Sequence, residues 1–291
     1  MRLISCLLVA GSLWAQPTVT DLLERRTLEL LAGAEKSCEC VLGVAAVDLE
    51  TGAIFGLNLD TVFPQASAIK IPIMVEVFRA ARAGRLRLEE RVRLEPADVV
   101  GGSGKLKEEL KRGPVERSVR ELVELMIRES DNVATNKLIT MVGMEEVNRT
   151  LDGLGLYRTR LRRRMMDVAA ATRDEENVST PREMARLAEM LYRGQVVDEA
   201  ACRKMIEILK TVRASMRKAV PPEVAVAAKP GELPGVRTET GIVFLPGRPF
   251  VLSVMSAFLP DKTEPVEGVT RIVYEHFQRL ARSNRYGHRV R

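Results

Sequence analysis

Ser67-Ala68-Ile69-Lys70 sets a lysine three residues after a serine, at the head of the apolar run Ile71 to Phe78. A serine hydroxyl is a weak nucleophile until a base takes its proton. Three residues along a helix return to the same face, so this spacing puts the Lys70 ammonium beside the Ser67 hydroxyl. If the turn is buried, the ammonium loses hydration and its pKa falls toward a useful range. Ser67 is therefore a candidate nucleophile and Lys70 its candidate base. The pattern is short and arises by chance. A second copy, Ser215-Met216-Arg217-Lys218, lies in a basic stretch before Pro221-Pro222 and reads as a solvated segment. The first copy differs in context, because its lysine opens an apolar helix.

Other bases are scarce. The chain has two histidines, His276 in the last amphipathic segment and His288 in a basic tail. Neither has an obvious route to Ser67, so a Ser-His-Asp triad is disfavoured. A zinc site needs three or four ligands at fixed spacings, which two histidines do not suggest. The expectation is a lysine-assisted serine enzyme with no metal and no cofactor.

Two further groups stand at element boundaries. Ser130-Asp131-Asn132 follows a capped helix, and Lys229-Pro230-Gly231 stands where a late sheet begins. Taken singly, the first is a plain helix cap and the second a turn before a strand. All three groups together, in this order and each at a boundary, are much harder to obtain by chance.

The elements that must position them read as follows. Asp21 to Ala34 has a helical apolar pattern, and Val41 to Asp48 and Ala53 to Leu59 read as a hairpin around Leu49-Glu50-Thr51-Gly52. The helix of Lys70 runs to about Ala83 and stops at Gly84, with Pro72 tolerated in its first turn. Ser118 and Glu121 form a capping box for a helix ending near Glu129, and Thr180, Pro181 and Glu183 open another. A helix from Asp198 to about Val212 follows. Two strands, Val236 to Leu245 and Phe250 to Phe258, precede a closing helix from Val266 to Arg282. Early and late strands bury themselves only by joining one sheet. The fold class is α+β: an antiparallel sheet with terminal helices and an inserted all-helical part.

With these motifs in place, the chain resembles the class A β-lactamases and related serine penicillin-binding proteins over nearly all of the sequence that follows the expected signal, residues 1–16. That family carries S-x-x-K, S-D-N and K-T-G in this order. Phe63-Pro64, Ser118-Val119-Arg120-Glu121-Leu122 and Thr180-Pro181 fit its neighbouring sequence. The resemblance implies an acyl-enzyme on Ser67, with Lys70 taking or relaying the proton and Ser130 passing one to the departing nitrogen, helped by Lys229. It implies that Asn132 binds the substrate's side-chain amide and that the N–H groups of Ser67 and Glu232 form an oxyanion hole.

Two departures bear on function. The family's middle residue in the last motif is threonine or serine, and here it is Pro230, with neither hydroxyl nor N–H. Binding of a substrate carboxylate would lean on Lys229 and Arg237 or Arg217. Class A enzymes also carry a loop glutamate that activates the deacylating water. The corresponding stretch, 163–170, puts Met165 or Met166 there, with Asp167 near but one carbon shorter. Glu175 and Glu176 read as solvated loop charges. Losing a positioned base slows deacylation by about 10²–10⁴-fold.

The chain has 291 residues, 46% of them hydrophobic, and a formal charge of +6. That is enough for one large core or two modest ones. The charge suits an anionic partner, but little aromatic interleaving supports nucleic acid, and Arg162-Arg163-Arg164 reads as a solvated run. Residues 1–16 read as a secretory signal, with Arg2, the apolar run Leu3 to Trp14 and Ala15 at the cut, too short for a membrane anchor. Residues 17–291 would then form the catalytic domain, its sheet part from about 17–64 and 221–291 and its helical part from about 65–220. Of the cysteines left, Cys202 reads as core, whereas Cys38 and Cys40 pair with each other only under strain, or one of them meets Cys202.

Three readings remain: a secreted or periplasmic monomer that opens β-lactams slowly, a peptidase acting on D-Ala-D-Ala peptidoglycan stems, and a non-catalytic binding module.

Overall fold

The computed structural model of the chain describes residues 16–290. The signal reading, with Cys6, lies outside the described residues apart from Gln16. In chain order the helices are α1 (Val19–Cys38), α2 (Lys70–Arg82), α3 (Leu106–Leu110), α4 (Val119–Arg128), α5 (Asn132–Val142), α6 (Met144–Gly153), α7 (Val168–Thr172), α8 (Pro181–Tyr192), α9 (Glu199–Lys210) and α10 (Pro265–Arg282). The strands are β1 (Val41–Asp48), β2 (Ile54–Leu57), β3 (Phe63–Pro64), β4 (Arg91–Leu94), β5 (Val115–Ser118), β6 (Val178–Ser179), β7 (Val226–Leu233), β8 (Val236–Val243) and β9 (Phe250–Ala257).

Five strands form one antiparallel sheet in the order β2-β1-β9-β8-β7. Successive side chains of a strand point to opposite faces. On β9, Val251 and Met255 join the core shared with the helical part, while Phe250, Leu252 and Val254 join the core under α1 and α10. The sheet is thus covered on both faces, by α8 on one and α10 on the other, which explains strands that are apolar at nearly every position.

The expected α+β arrangement is present, with four corrections. The inserted part is not all-helical, because β4 pairs with β5 and β6 pairs with β3 within or beside it. Lys229 does not begin the late sheet. It lies inside β7, an edge strand of eight residues that the sequence hid behind the weak strand formers Ala227 and Ala228 and the breakers Pro230 and Gly231. The Ser215-Met216-Arg217-Lys218 segment is not simply solvated. Met216 is fully buried, and the Ser215 and Met216 N–H groups donate to the Glu239 carboxylate. The arginine run is not free either: Arg163 is buried in a two-pronged ion pair with Glu176.

Cys38 and Cys40 are joined in a disulfide, and Cys202 is free and buried. Glu39 between them has φ 51°, a left-handed turn that ends α1, and the two Cα atoms come within 5.2 Å. That spacing lies inside the ordinary range for a disulfide.

Candidate active site

Ser67 sits in a tight turn, Ala66–Ile69, that leads directly into α2. Ala66 before it has φ 46°, a conformation that a non-glycine residue holds only when its surroundings fix it. Here the Gln65 N–H donates to the Asn177 carbonyl, and the Gln65 carbonyl accepts from Ala68 N–H and from the Thr238 hydroxyl. Gly231 on β7 runs against the same turn. A Cβ there would meet the Gln65 carbonyl at 2.7 Å and Ala68 N at 2.8 Å, so only glycine lets the edge strand approach the nucleophile so closely.

Lys70 starts α2 and is fully buried. Its Nζ lies within hydrogen-bond distance of four oxygens, Ser67 Oγ at 3.1 Å, Ser130 Oγ at 3.0 Å, the Ser130 carbonyl at 2.8 Å and Asn132 Oδ1 at 2.9 Å, which its three N–H donors share. Lys229 Nζ reaches Ser130 Oγ from the other side at 3.2 Å and is also held by the Pro230 carbonyl at 2.8 Å. Ser67, Lys70, Ser130, Asn132 and Lys229 are therefore one hydrogen-bonded cluster, although they span more than half the sequence. Burial, then the nearby Lys229, pushes the Lys70 pKa well below the ordinary ammonium value, against a smaller upward pull from Asp131. Burial lowers Lys229 to about 7, partly offset by Glu239.

The cap and the catalytic readings of Ser130-Asp131-Asn132 are both realised, by different residues. Asp131 is fully buried and caps α5 through Ala134 N–H while also accepting from Leu106 N–H. Ser130, at φ 54°, and Asn132 are thereby turned toward Lys70.

Two spaces open beside Ser67. One is a cleft of about 290 Å³ whose lining includes Ser130, Lys229, Gly231, Glu232, Arg237 and Glu239. Sequence reasoning missed Glu239. It is 1% exposed on β8, opposite Pro230, and desolvation raises its pKa to about 7 against the two N–H donors from Ser215 and Met216. A carboxylate among strand residues gives no sequence signal that it will be buried. Arg213, exposed, lines the same cleft. Arg237 lines it too, but its guanidinium pairs with Glu232 at 2.7 Å and approaches Glu264 at 3.8 Å. Arg217 is turned away, donating to the Lys210 and Val226 carbonyls.

The other space is a cavity of about 570 Å³ that shares Ser67, Ser103 and Glu232 with the cleft and is lined by Asn132 as well. Met165 and Met166, the two candidates for the expected glutamate's place, both line it, and Met165 is the buried one. Its N–H donates to Asn136 Oδ1 at 2.8 Å and its carbonyl accepts from Asn136 Nδ2 at 3.1 Å, which pins its buried side chain in the wall. Asp167 does not join the cluster. It is exposed, and its carboxylate caps α7 by accepting from Ala170 N–H. Glu176, read as a solvated charge, lines the cavity with Arg163 as its partner.

The model of a family described as the β-lactamase enzyme family matches residues 23–277. The chain belongs to that family. The ROB-1 β-lactamase of Haemophilus influenzae is 28% identical over 243 residues, covering 81% of this chain and 78% of that one. A β-lactamase from Sphaerobacter thermophilus superposes with a TM-score of 0.78 at 30% identity, over 88% of this chain and 95% of that one. PBP-A superposes equally well, at 26% identity over 88% of this chain and 96% of its own, and a Leu-to-Glu variant of PBP-A has been captured as an acyl-enzyme with penicillin G. Like these family members, the chain is a serine hydrolase of the β-lactamase/DD-peptidase type.

Proposed function

We propose that Ser67 is acylated by β-lactams and that the acyl-enzyme is hydrolysed slowly. In acylation the Ser67 Oγ–carbonyl bond forms and the ring C–N bond breaks. The serine proton passes to Lys70, and Ser130, held between Lys70 and Lys229, delivers its own proton to the departing nitrogen and regains one from Lys70. A buried lysine of lowered pKa supports this reading, because burial and the neighbouring Lys229 favour its neutral amine, the form that can accept the proton. The N–H groups of Ser67 and Glu232 are the proposed oxyanion donors. Pro230 is two residues from Glu232 on the edge strand and so shares its outward side, where a missing N–H costs no ladder bond. Lys229 and the exposed Arg213 are the proposed partners of the substrate carboxylate, since Arg237 is already engaged.

The observation that carries slow hydrolysis is Met165. A thioether cannot take a proton from water at neutral pH. The carboxylates on the cavity wall, Glu176 and Glu232, are both held by arginines. This same observation favours a second reading, a penicillin-binding peptidase acting on D-Ala-D-Ala stems, which shares the acylation step.

Residues 1–16 are the proposed export signal, giving a secreted or periplasmic enzyme of residues 17–291. No helix among the described residues is long and apolar enough to cross a membrane.

Intact-protein mass spectrometry after mixing with penicillin G tests the proposal. A penicilloyl adduct lasting minutes to hours is expected, and it should be absent from Ser67→Ala. Fast drug hydrolysis with no lasting adduct would overturn slow deacylation. Neither adduct nor hydrolysis would overturn β-lactam chemistry altogether.

A further inference from the structure

We infer that the end of the molecule formed by the start of α1 and the segment after α10 docks on an anionic phospholipid surface. This goes beyond the chemistry at Ser67 and does not depend on it. The formal charge of +6 is unevenly placed. Residues 279–291 hold five arginines and no acid. Of the 45 lysines and arginines, only those five and Arg2 lie outside residues 17–278, which leaves 39 there against 39 acids. The net charge of the proposed exported chain thus sits entirely in its last thirteen residues. Like charge gathered at one end points to an interaction segment, since solubility needs only a mixed surface.

The segment is folded and packed. Ser283 and Arg289 form an antiparallel bridge, the Val290 N–H donates to the Arg282 carbonyl, and Asn284 Oδ1 accepts from the Tyr286 and His288 N–H groups. Val19, Thr20 and Leu23 of α1 enclose with Leu280, Ser283 and Gly287 a hollow of about 220 Å³. Arg279, Arg282, Arg285 and Arg289 are exposed. Among the described residues no carboxylate pairs with Arg282 or Arg285, and Arg279 approaches Glu275 only at 3.7 Å. The Arg285 guanidinium lies over the Tyr286 ring at 4.7 Å.

A soluble polyanion would satisfy these cations but not their neighbours. Val19, Leu22, Tyr286 and Val290 are between 51% and 66% exposed. Arginines bind phosphate through paired hydrogen bonds, and apolar and aromatic groups among them match the layer of a bilayer where phosphates meet acyl chains. The path of the chain agrees. α1 begins at Val19, close behind the proposed export signal, so this end faces the membrane while the signal is attached. Docking here leaves the cleft beside Ser67 open. The cleft takes Glu264 and Val266 from the start of α10, and the arginines lie at the helix's far end, about 24 Å from Val266 to Arg282.

The test is sedimentation of residues 17–291, which keep every described helix and strand, with vesicles of phosphatidylcholine alone and with vesicles carrying phosphatidylglycerol. Binding to the anionic vesicles only, weakening as salt is raised, is expected. Each arginine near such a surface contributes about 5-fold, so Arg282→Gln with Arg285→Gln should weaken binding by about 25-fold. Tyr286→Ser with Val290→Ser should weaken vesicle binding and leave binding to polyphosphate, a soluble polyanion, unaltered. Circular dichroism of each variant separates lost docking from lost folding. Equal binding to both vesicle types, or to neither, would overturn the inference whatever the variants do. So would polyphosphate binding as tight as vesicle binding with no response to the Tyr286 and Val290 changes, which would make the partner a polyanion instead of a lipid.

Discussion

The two sides of Ser67 are built from opposite materials. On the leaving-group side, Lys70, Ser130, Lys229 and Glu239 are crowded together, three of them almost wholly out of water, and their pKa values are displaced by burial and by one another. On the acyl side, thioethers, alkyl groups and arginine-bound carboxylates face the same nucleophile. The scaffold of the acyl side is nevertheless as firmly made. Asn136 fixes both backbone groups of Met165, and Asn177 accepts from the N–H groups of Arg162 and Arg163. The contrast separates holding a position from equipping it. The loop holds Met165 in the wall of the cavity that Ser67 also lines, and a thioether has no proton chemistry, which is the ground for the proposed slow hydrolysis.

The largest expected effect comes from placing a carboxylate on the apolar side. Met165→Glu should accelerate deacylation by about 10²-fold, the lower end of the range for a positioned general base. Release of penicilloic acid under single-turnover conditions measures it, with acylation followed separately. An unchanged lifetime of the adduct would show that the missing base is not what limits hydrolysis.

Removing a charge from the other side should do less. Glu239→Gln takes away the carboxylate that raises the Lys229 pKa, so Lys229 loses its proton at a lower pH than its present value of about 7. Acylation by an anionic penicillin needs Lys229 charged, and its rate should fall as pH rises through that range. In the variant the fall should begin at lower pH, with a several-fold loss at pH 7. Glu239→Asp, which keeps the charge, should restore most of it. A limb displaced to higher pH would mean that Glu239 acts by repelling the substrate carboxylate.

The same contrast explains what the sequence disclosed. Ser67 and Lys70 are legible because a spacing of three is a local geometric statement, and Ser118 with Glu121 or Thr180 with Glu183 are legible because caps are local hydrogen bonds. Glu239 is not legible, since its burial depends on two N–H groups from a turn 23 and 24 residues away. Nor is β7, whose alanines, proline and glycine are poor strand residues made extended by their pairing with β8. Arg163 and Glu176 look like solvated charges until the loop closes and brings them together across 13 residues. In each case the deciding partner is supplied by tertiary structure.

A buried titratable group remote from Ser67 sharpens the comparison further. His276 on α10 has its Nδ1 2.9 Å from the Thr27 hydroxyl on α1, and burial, then the neighbouring Arg248, lowers its pKa to about 4. Displacement of a pKa is thus no mark of a site by itself, because it is the cluster of groups around one nucleophile that makes chemistry. The consequence for His276 is stability alone. The unfolded chain, with an imidazole of ordinary pKa near 6.5, takes up the proton more readily than the folded one. Its contribution is therefore complete above pH 6.5 and is lost as pH falls toward 4, on the order of 2 kcal/mol after allowance for solvent screening. Urea unfolding between pH 7.5 and 4.5, compared with His276→Gln, isolates this contribution from that of the carboxylates. The gap between the two proteins should narrow with acid, and a constant gap would mean that the imidazole is protonated equally in both states.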